Sequence, residues 1–208
     1  VTIEQFLGRS WVDRAIAVVA SLPFVLVLYY NVRTTQLTIP RVALLLQLCL
    51  LVVTMLIRRP PVRVTTRPLY WLVALVASYY GFLTVSVSVT GRPLAPTALT
   101  DGLSMLSVLG DGYARVTLGR NIGFVPAQRR LVTSGPYRLV RHPIYSALFL
   151  AELCVVLENF SWVNFILSLI FLALFVIKTL MEERFLGEDP AYAAYMREVR
   201  YRWIPGVL

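Results

Sequence analysis

The stretch Gly135-Pro136-Tyr137-Arg138-Leu139-Val140-Arg141-His142-Pro143-Ile144-Tyr145 gathers groups that recognise anions. Gly-Pro makes a turn, and proline is favoured at the first position of a helix, so Pro143 opens one. The free N–H groups at that helix start form a site for a carboxylate or a phosphate. Arg138, Arg141 and His142 cluster around it, with Tyr137 and Tyr145 as aromatic walls. An interfacial loop whose arginines reach lipid phosphate and whose tyrosines anchor a helix has the same composition. A second group, Met181-Glu182-Glu183-Arg184-Phe185-Leu186, places two adjacent acids at the end of an apolar run that carries Lys178. Lys178 and Glu182 stand at i, i+4, the spacing of a helical ion pair. Five acids lie in 182–198, against six arginines and no acid in 115–145. Brought to one face, these opposite fields form either a site for a zwitterionic or cationic ligand or a structural salt-bridge network. Tyr192 and Tyr195, on one helical face at i, i+3, suit an adenine ring, a sulfonium or the lipid headgroup layer.

The elements that position these groups are apolar. The chain has 208 residues, 58% hydrophobic and only 15% charged, with a mean hydropathy of +0.70. A soluble domain has about 45–50% and 25%. The class expected is an all-α polytopic membrane protein. About 20 apolar residues cross a bilayer, and six segments approach that length: Trp11–Tyr30, Pro40–Ile57, Leu69–Val89, Pro96–Leu118, Ile144–Leu157 and Ser161–Leu180. The fourth is interrupted by Asp101, Gly102, Gly110 and Asp111. The last two, joined only by Glu158-Asn159-Phe160, read as a helical hairpin near 144–180. Residues 119–143, rich in Arg, Gly and Pro, read as a structured loop or short hairpin. The chain begins at Val1, and Ala15–Tyr30 reads as a retained span, because no small-residue cleavage site follows it.

Arginine distribution sets the orientation. Arg58, Arg59, Arg63 and Arg67 lie between segments two and three, and six more arginines lie between Arg115 and Arg141, with no acid in either stretch. Both are expected in the cytoplasm. Two crossings must then separate them, which favours six spans over the alternative of five and puts both ends of the chain in the cytoplasm. Within segment five, Tyr145, Phe149 and Glu152 share a face. An acid at that depth points inward, either to pair with an arginine or to line a cavity.

Other chemistries fail on residue supply. With one histidine and two cysteines, no metal cluster is expected; Cys49 and Cys154 read as small buried hydrophobes. Nineteen arginines and one lysine lie between apolar runs, which favours membrane orientation over nucleic acid as their explanation. Gly110-Asp111-Gly112 lacks the preceding strand of a dinucleotide fold, and no second histidine completes a catalytic triad.

Residues Leu118-Gly119-Arg120, Leu131 through Arg138, Arg141-His142-Pro143-x-Tyr145, Glu182-Glu183-x-x-Leu186, Tyr192-x-x-Tyr195 and Arg202-x-x-Pro205 keep an order that resembles the isoprenylcysteine carboxyl methyltransferase family and its phospholipid methyltransferase relatives. The resemblance spans about 90 residues, Leu118 to Pro205. It implies S-adenosylmethionine as methyl donor, bound at the cytoplasmic face by the loop and the C-terminal helix. Residues 1–95 would be membrane spans and 96–208 the catalytic half. His142 and the adjacent backbone of Pro143, with Tyr137, Arg138 and Arg141, would bind the donor; Tyr145, Glu183, Tyr192 and Tyr195 would shape its pocket. Arg202 would stand near the acceptor, and Glu152 or Glu182 would serve as base for an amine. The implied acceptor is lipidic or apolar, the implied location the inner membrane of a bacterium or archaeon, with membrane lipids as the surroundings. Where the family often has Gly after its histidine motif, Ser146-Ala147 stand here, and close packing is expected to survive. An NADPH-dependent membrane reductase of the sterol reductase type, whose tail also ends near Ile204-Pro205-Gly206, is the alternative enzyme; a lipid-binding scaffold is the non-enzymatic one.

Overall fold

The structure, a computed structural model, describes residues 2–34 and 39–207. Among them are eight helices: α1 (Ile3–Leu7), α2 (Ser10–Thr34), α3 (Ile39–Leu56), α4 (Pro68–Val87), α5 (Thr97–Leu118), α6 (Pro143–Glu158), α7 (Trp162–Leu186) and α8 (Pro190–Glu198). Two short strands, β1 (Arg63–Val64) and β2 (Ala127–Gln128), pair antiparallel. Local sequence sets the ends. Pro68, Pro143 and Pro190 occupy first turns, where no N–H is needed. The Ser161 hydroxyl caps α7 by accepting from the Asn164 N–H, and Asp189 caps α8 by accepting from Ala191 and Tyr192.

The six long helices, α2 to α7, alternate in direction between two ends. At one end the arginine-rich connections meet: Arg63 faces Gln128 across the β1–β2 ladder, and the Arg59 N–H donates to the Arg120 carbonyl at 2.7 Å. Asp13, on the first turn of α2, joins them. It accepts from Arg58 Nη2 at 2.7 Å and from Arg129 Nη2 at 3.1 Å, with all three side chains buried. Burial and the neighbouring Arg58 charge lower the Arg129 guanidinium to about 10, against the opposing pull of Asp13. Both arginine-rich stretches thus share one end, as their charge pattern requires.

At the other end, the segment after α4 lies on the α6–α7 turn. Arg92 and Phe160 exchange backbone hydrogen bonds at 2.9 Å, and the Gly91 N–H donates to Asn159 Oδ1 at 2.5 Å. A Cβ on Gly91 would lie 2.2 Å from the Phe160 carbonyl oxygen, so only glycine fits. Gly91→Ala is expected to cost about 1–3 kcal/mol, the usual cost of overpacking, read as a lower midpoint in thermal unfolding of the detergent-solubilised protein.

The bundle has many apolar side chains on its outside, and its largely apolar core also holds polar and charged ones. Leu26, Leu72, Leu109, Ile166 and Leu180 are exposed, whereas Thr100, Ser107, Asp111, Ser168, Lys178 and Thr179 are buried. Several of these buried side chains donate to backbone carbonyls, as Thr100, Ser107 and Thr179 do, and others pair with side chains, as Asp111 does with Arg115 and Ser168 with Glu152, which suits an apolar surround. By length and composition, Ser10–Tyr30 and Trp162–Leu186 can each cross a membrane. The interrupted fourth segment is one continuous helix, α5, and its small residues are packing devices. The Ser107 hydroxyl donates to the Ala147 carbonyl at 2.9 Å, and a Cβ on Gly110 would lie 3.8 Å from that of Ala147. Small residues let α5 and α6 approach closely, so Ser146-Ala147 does preserve tight packing. One expectation is corrected: Cys154 is buried, but Cys49 is exposed, because α3 turns it to the outer face, where a small apolar side chain is equally well accommodated by lipid. Residues 119–143 are the expected structured loop, built from β2 and two 3₁₀ turns, Gly119–Asn121 and Gly135–Arg138.

Candidate functional site

The site grows from the last turn of α7. Glu183 is buried and accepts at both oxygens: from Arg141 Nε at 2.6 Å and His142 Nε2 at 3.2 Å on Oε1, and from Arg202 Nε at 2.9 Å on Oε2. A carboxylate only accepts, so the His142 proton on this side sits on Nε2. Glu182, one residue earlier, accepts from the Tyr145 hydroxyl at 2.9 Å and lies 3.9 Å from His142 Nδ1. His142 and Tyr145 stack with their planes 3° apart. The helical repeat sends the two adjacent acids to different partners, Glu183 to the arginines and His142 and Glu182 to Tyr145.

Backbone pairing fixes the C-terminal segment over this cluster. The Arg141 and His142 N–H groups donate to the Tyr201 and Arg202 carbonyls, each at 2.9 Å. Arg141 Nη1 donates to the Val199 and Arg200 carbonyls, and the Ser146 hydroxyl to the Trp203 carbonyl. The Tyr195 hydroxyl donates to the Tyr137 carbonyl at 2.7 Å, tying α8 to the 3₁₀ turn before α6. Burial, reinforced by nearby carboxylates, raises the phenols of Tyr137, Tyr192 and Tyr195, so all three stay neutral at physiological pH.

Among the residues singled out by sequence, Arg141, His142, Tyr145, Glu182, Glu183 and Arg202 meet directly. Pro143 starts α6 beneath them, and Tyr137, Tyr192 and Tyr195 form the adjoining aromatic wall. Two do not join. Arg138 is exposed. Glu152 stands seven residues along α6 from Tyr145, about 10 Å at 1.5 Å per residue, and accepts from the Ser168 hydroxyl at 2.5 Å. Of its two readings, pairing with an arginine is not what the structure shows: α7 presents Ser168 at that level. The Lys178–Glu182 ion pair does not form either. Lys178 Nζ donates to the Ser78 hydroxyl at 3.2 Å and sits 5.5 Å from the ring centres of Tyr145 and Phe175, while Tyr145 takes Glu182.

Sequence reading passed over one group behind this cluster. Asp111, fully buried, accepts at both oxygens from Arg115 Nε at 2.8 and 2.9 Å, and this pair acts electrostatically on Tyr137. Its signal was the i, i+4 spacing of the two charges, masked by the reading of Asp111 as a helix interruption.

A mostly helical bundle, with two helices long and apolar enough to cross a membrane and a polar cap that folds two distant segments over one end, gives the class: a helical protein of membrane-like composition with a candidate site at one end of its bundle. Residues 103–192 match the model of the phospholipid methyltransferase family. That stretch, from α5 through the start of α8, carries most of the cluster, and the match agrees with the resemblance. No curated protein matches the chain in sequence.

Proposed function

We propose that the protein is an integral-membrane methyltransferase that takes its methyl group from S-adenosylmethionine and passes it to a lipidic or apolar acceptor. The observation that carries this reading is the convergence of Arg141, His142 and Arg202 on Glu183, beside Glu182 and an aromatic wall, largely within the methyltransferase-family segment. The donor set suits that cofactor. No side chain caps the N-terminus of α6, which leaves N–H groups for a carboxylate. Glu182 offers a carboxylate for an ammonium, and Tyr137, Tyr145 and Tyr192 supply faces for a cation or an adenine.

When bound, S-adenosylmethionine supplies a methyl group activated by its cationic sulfur. Displacement at such a carbon depends on positioning and on a dry site more than on acid–base groups, and the chain's residues are assigned to those tasks. Glu183 holds Arg141, His142 and Arg202 in register. Tyr145 fixes Glu182, which takes the proton released by an amine acceptor. Arg202, only part-buried, keeps its terminal nitrogens for an anionic group of the acceptor. Glu152 serves the bundle interior rather than the reaction. Residues 96–208 form the catalytic half, and α2 to α7 make six crossings, with the capped end in the cytoplasm of a bacterial or archaeal cell. The reductase alternative has no observation in its favour.

Calorimetric titration of the detergent-solubilised protein with S-adenosylmethionine and its demethylated product tests the reading. Binding is expected for both, and His142→Ala is expected to weaken it by at least about tenfold, the loss of one hydrogen bond to a charged group. A folded protein that binds neither compound refutes the proposal. Labelled donor offered with membrane lipid extract, isoprenylated thiol acids and small thiols then identifies the acceptor.

A further inference from the structure

A second polar site lies at the same end of the bundle, outside the Glu182–Glu183 cluster. Where α5 ends, its last turn, the 3₁₀ turn at Gly119–Asn121, the segment 130–134 and Arg59 enclose an open cavity of about 420 Å³. Three arginines line it, Arg59, Arg120 and Arg130, with Thr117, Thr133 and Ser134, and no acidic residue among the described ones. Among the described residues none of these arginines takes part in an ion pair: the acids nearby in the fold are committed elsewhere, Asp13 to Arg58 and Arg129, Asp111 to Arg115, and Glu188 to Arg63. Arg120 is held by donating Nε to the Ile57 carbonyl at 2.7 Å. Three like charges around one opening repel one another and lower their energy by sharing an anion, and guanidinium groups match phosphate oxygens in geometry.

The surface below the cavity identifies the carrier of that anion. Leu106, Leu109, Tyr113 and Val116 are each more than half exposed. At 100° per residue they share one narrow face of α5, and Thr117, on the same side one residue further, is in the cavity wall. An apolar stripe therefore runs along the helix directly up to an arginine-lined opening. A soluble phosphate compound needs only the opening; a phospholipid needs both.

We infer that this cavity holds the phosphate of an anionic membrane phospholipid whose acyl chains lie along the Leu106–Val116 face of α5. The lipid is a bound ligand and not the methyl acceptor, and the inference stands apart from the methyltransferase reading.

The test uses the full chain in phosphatidylcholine nanodiscs doped with phosphatidylglycerol, released into the gas phase for native mass spectrometry. A tightly retained phosphatidylglycerol is expected. The double variant Arg59→Gln/Arg130→Gln, whose residues are exposed and whose side chains make no hydrogen bond among the described residues, is expected to retain it at least about tenfold less, as for the loss of charge-assisted bonds. Arg197→Gln, on α8 away from the cavity, is expected to retain it fully. Thermal unfolding and S-adenosylmethionine titration of the double variant are expected to match the parent, which separates this site from the proposed donor site. In a parallel arm, inorganic phosphate is added to the detergent-solubilised protein. Equal stabilisation by inorganic phosphate and by phosphatidylglycerol would transfer the cavity to a soluble phosphate compound and overturn the inference, as would undiminished lipid retention by the double variant.

Discussion

Glu183→Gln is expected to lower affinity for S-adenosylmethionine by at least about a hundredfold and to lower the thermal midpoint at the same time. The reason is the number of cations that share this carboxylate. Arg141 and Arg202 both donate to it, and His142 joins them. The Arg141 side chain is only 6% exposed, so it cannot exchange its partner for water. Removing one member of a buried ion pair typically costs about 3–5 kcal/mol, because the remaining charge stays buried and uncompensated. Every 1.4 kcal/mol, approximately, is a factor of ten in binding if the loss falls on the bound state. Here it falls on both folding and binding, since Arg141 also holds the Val199 and Arg200 carbonyls and so seats the C-terminal segment. Glu188→Gln is the control: its pair with Arg63 is half-exposed and is worth at most about 1 kcal/mol. Titration calorimetry and thermal unfolding of both variants check the contrast. A Glu183→Gln protein that binds the donor and unfolds like its parent would remove the basis for the proposed site.

Asp13→Asn is expected to give the largest loss of stability with the least change in chemistry. Asp13 is the anion between two buried guanidinium groups, Arg58 and Arg129, which already act against each other. Neutralising it leaves two cations facing one another with little access to water, again a cost of about 3–5 kcal/mol. The effect is structural because this cluster fastens the start of α2 to the connections on either side of β1 and β2, and it contains none of the residues that meet at Glu183. The expected result is a marked fall in the thermal midpoint, with donor affinity of the remaining folded protein unchanged. A parallel loss of donor affinity would show that the α2 anchor and the site are coupled.

Much of this was readable from residues alone, for physical reasons that differ from element to element. Long apolar runs report helices because a hydrocarbon surround leaves the backbone no other way to satisfy its polar groups. The start of α6 was legible from Pro143, whose lack of an N–H suits the first turn. The common end of the two arginine-rich stretches followed from charge, and the meeting of His142 with Glu183 from the opposite fields of 115–145 and 182–198. What spacing could not provide was partner choice. Glu152 found Ser168 instead of an arginine, Lys178 found Ser78 and aromatic rings instead of Glu182, and Cys49 faced outward, because each of those outcomes depends on the rotation of one helix against another. Asp111 looked like an interruption of a span until α5 proved continuous, with Asp111 buried and paired to Arg115. Composition and order therefore dictated helices, their ends and the side on which the charges gather. Only the packed bundle decided which charges touch, since a contact between residues forty positions apart is set by the three-dimensional fit of side chains and leaves no local trace in the chain.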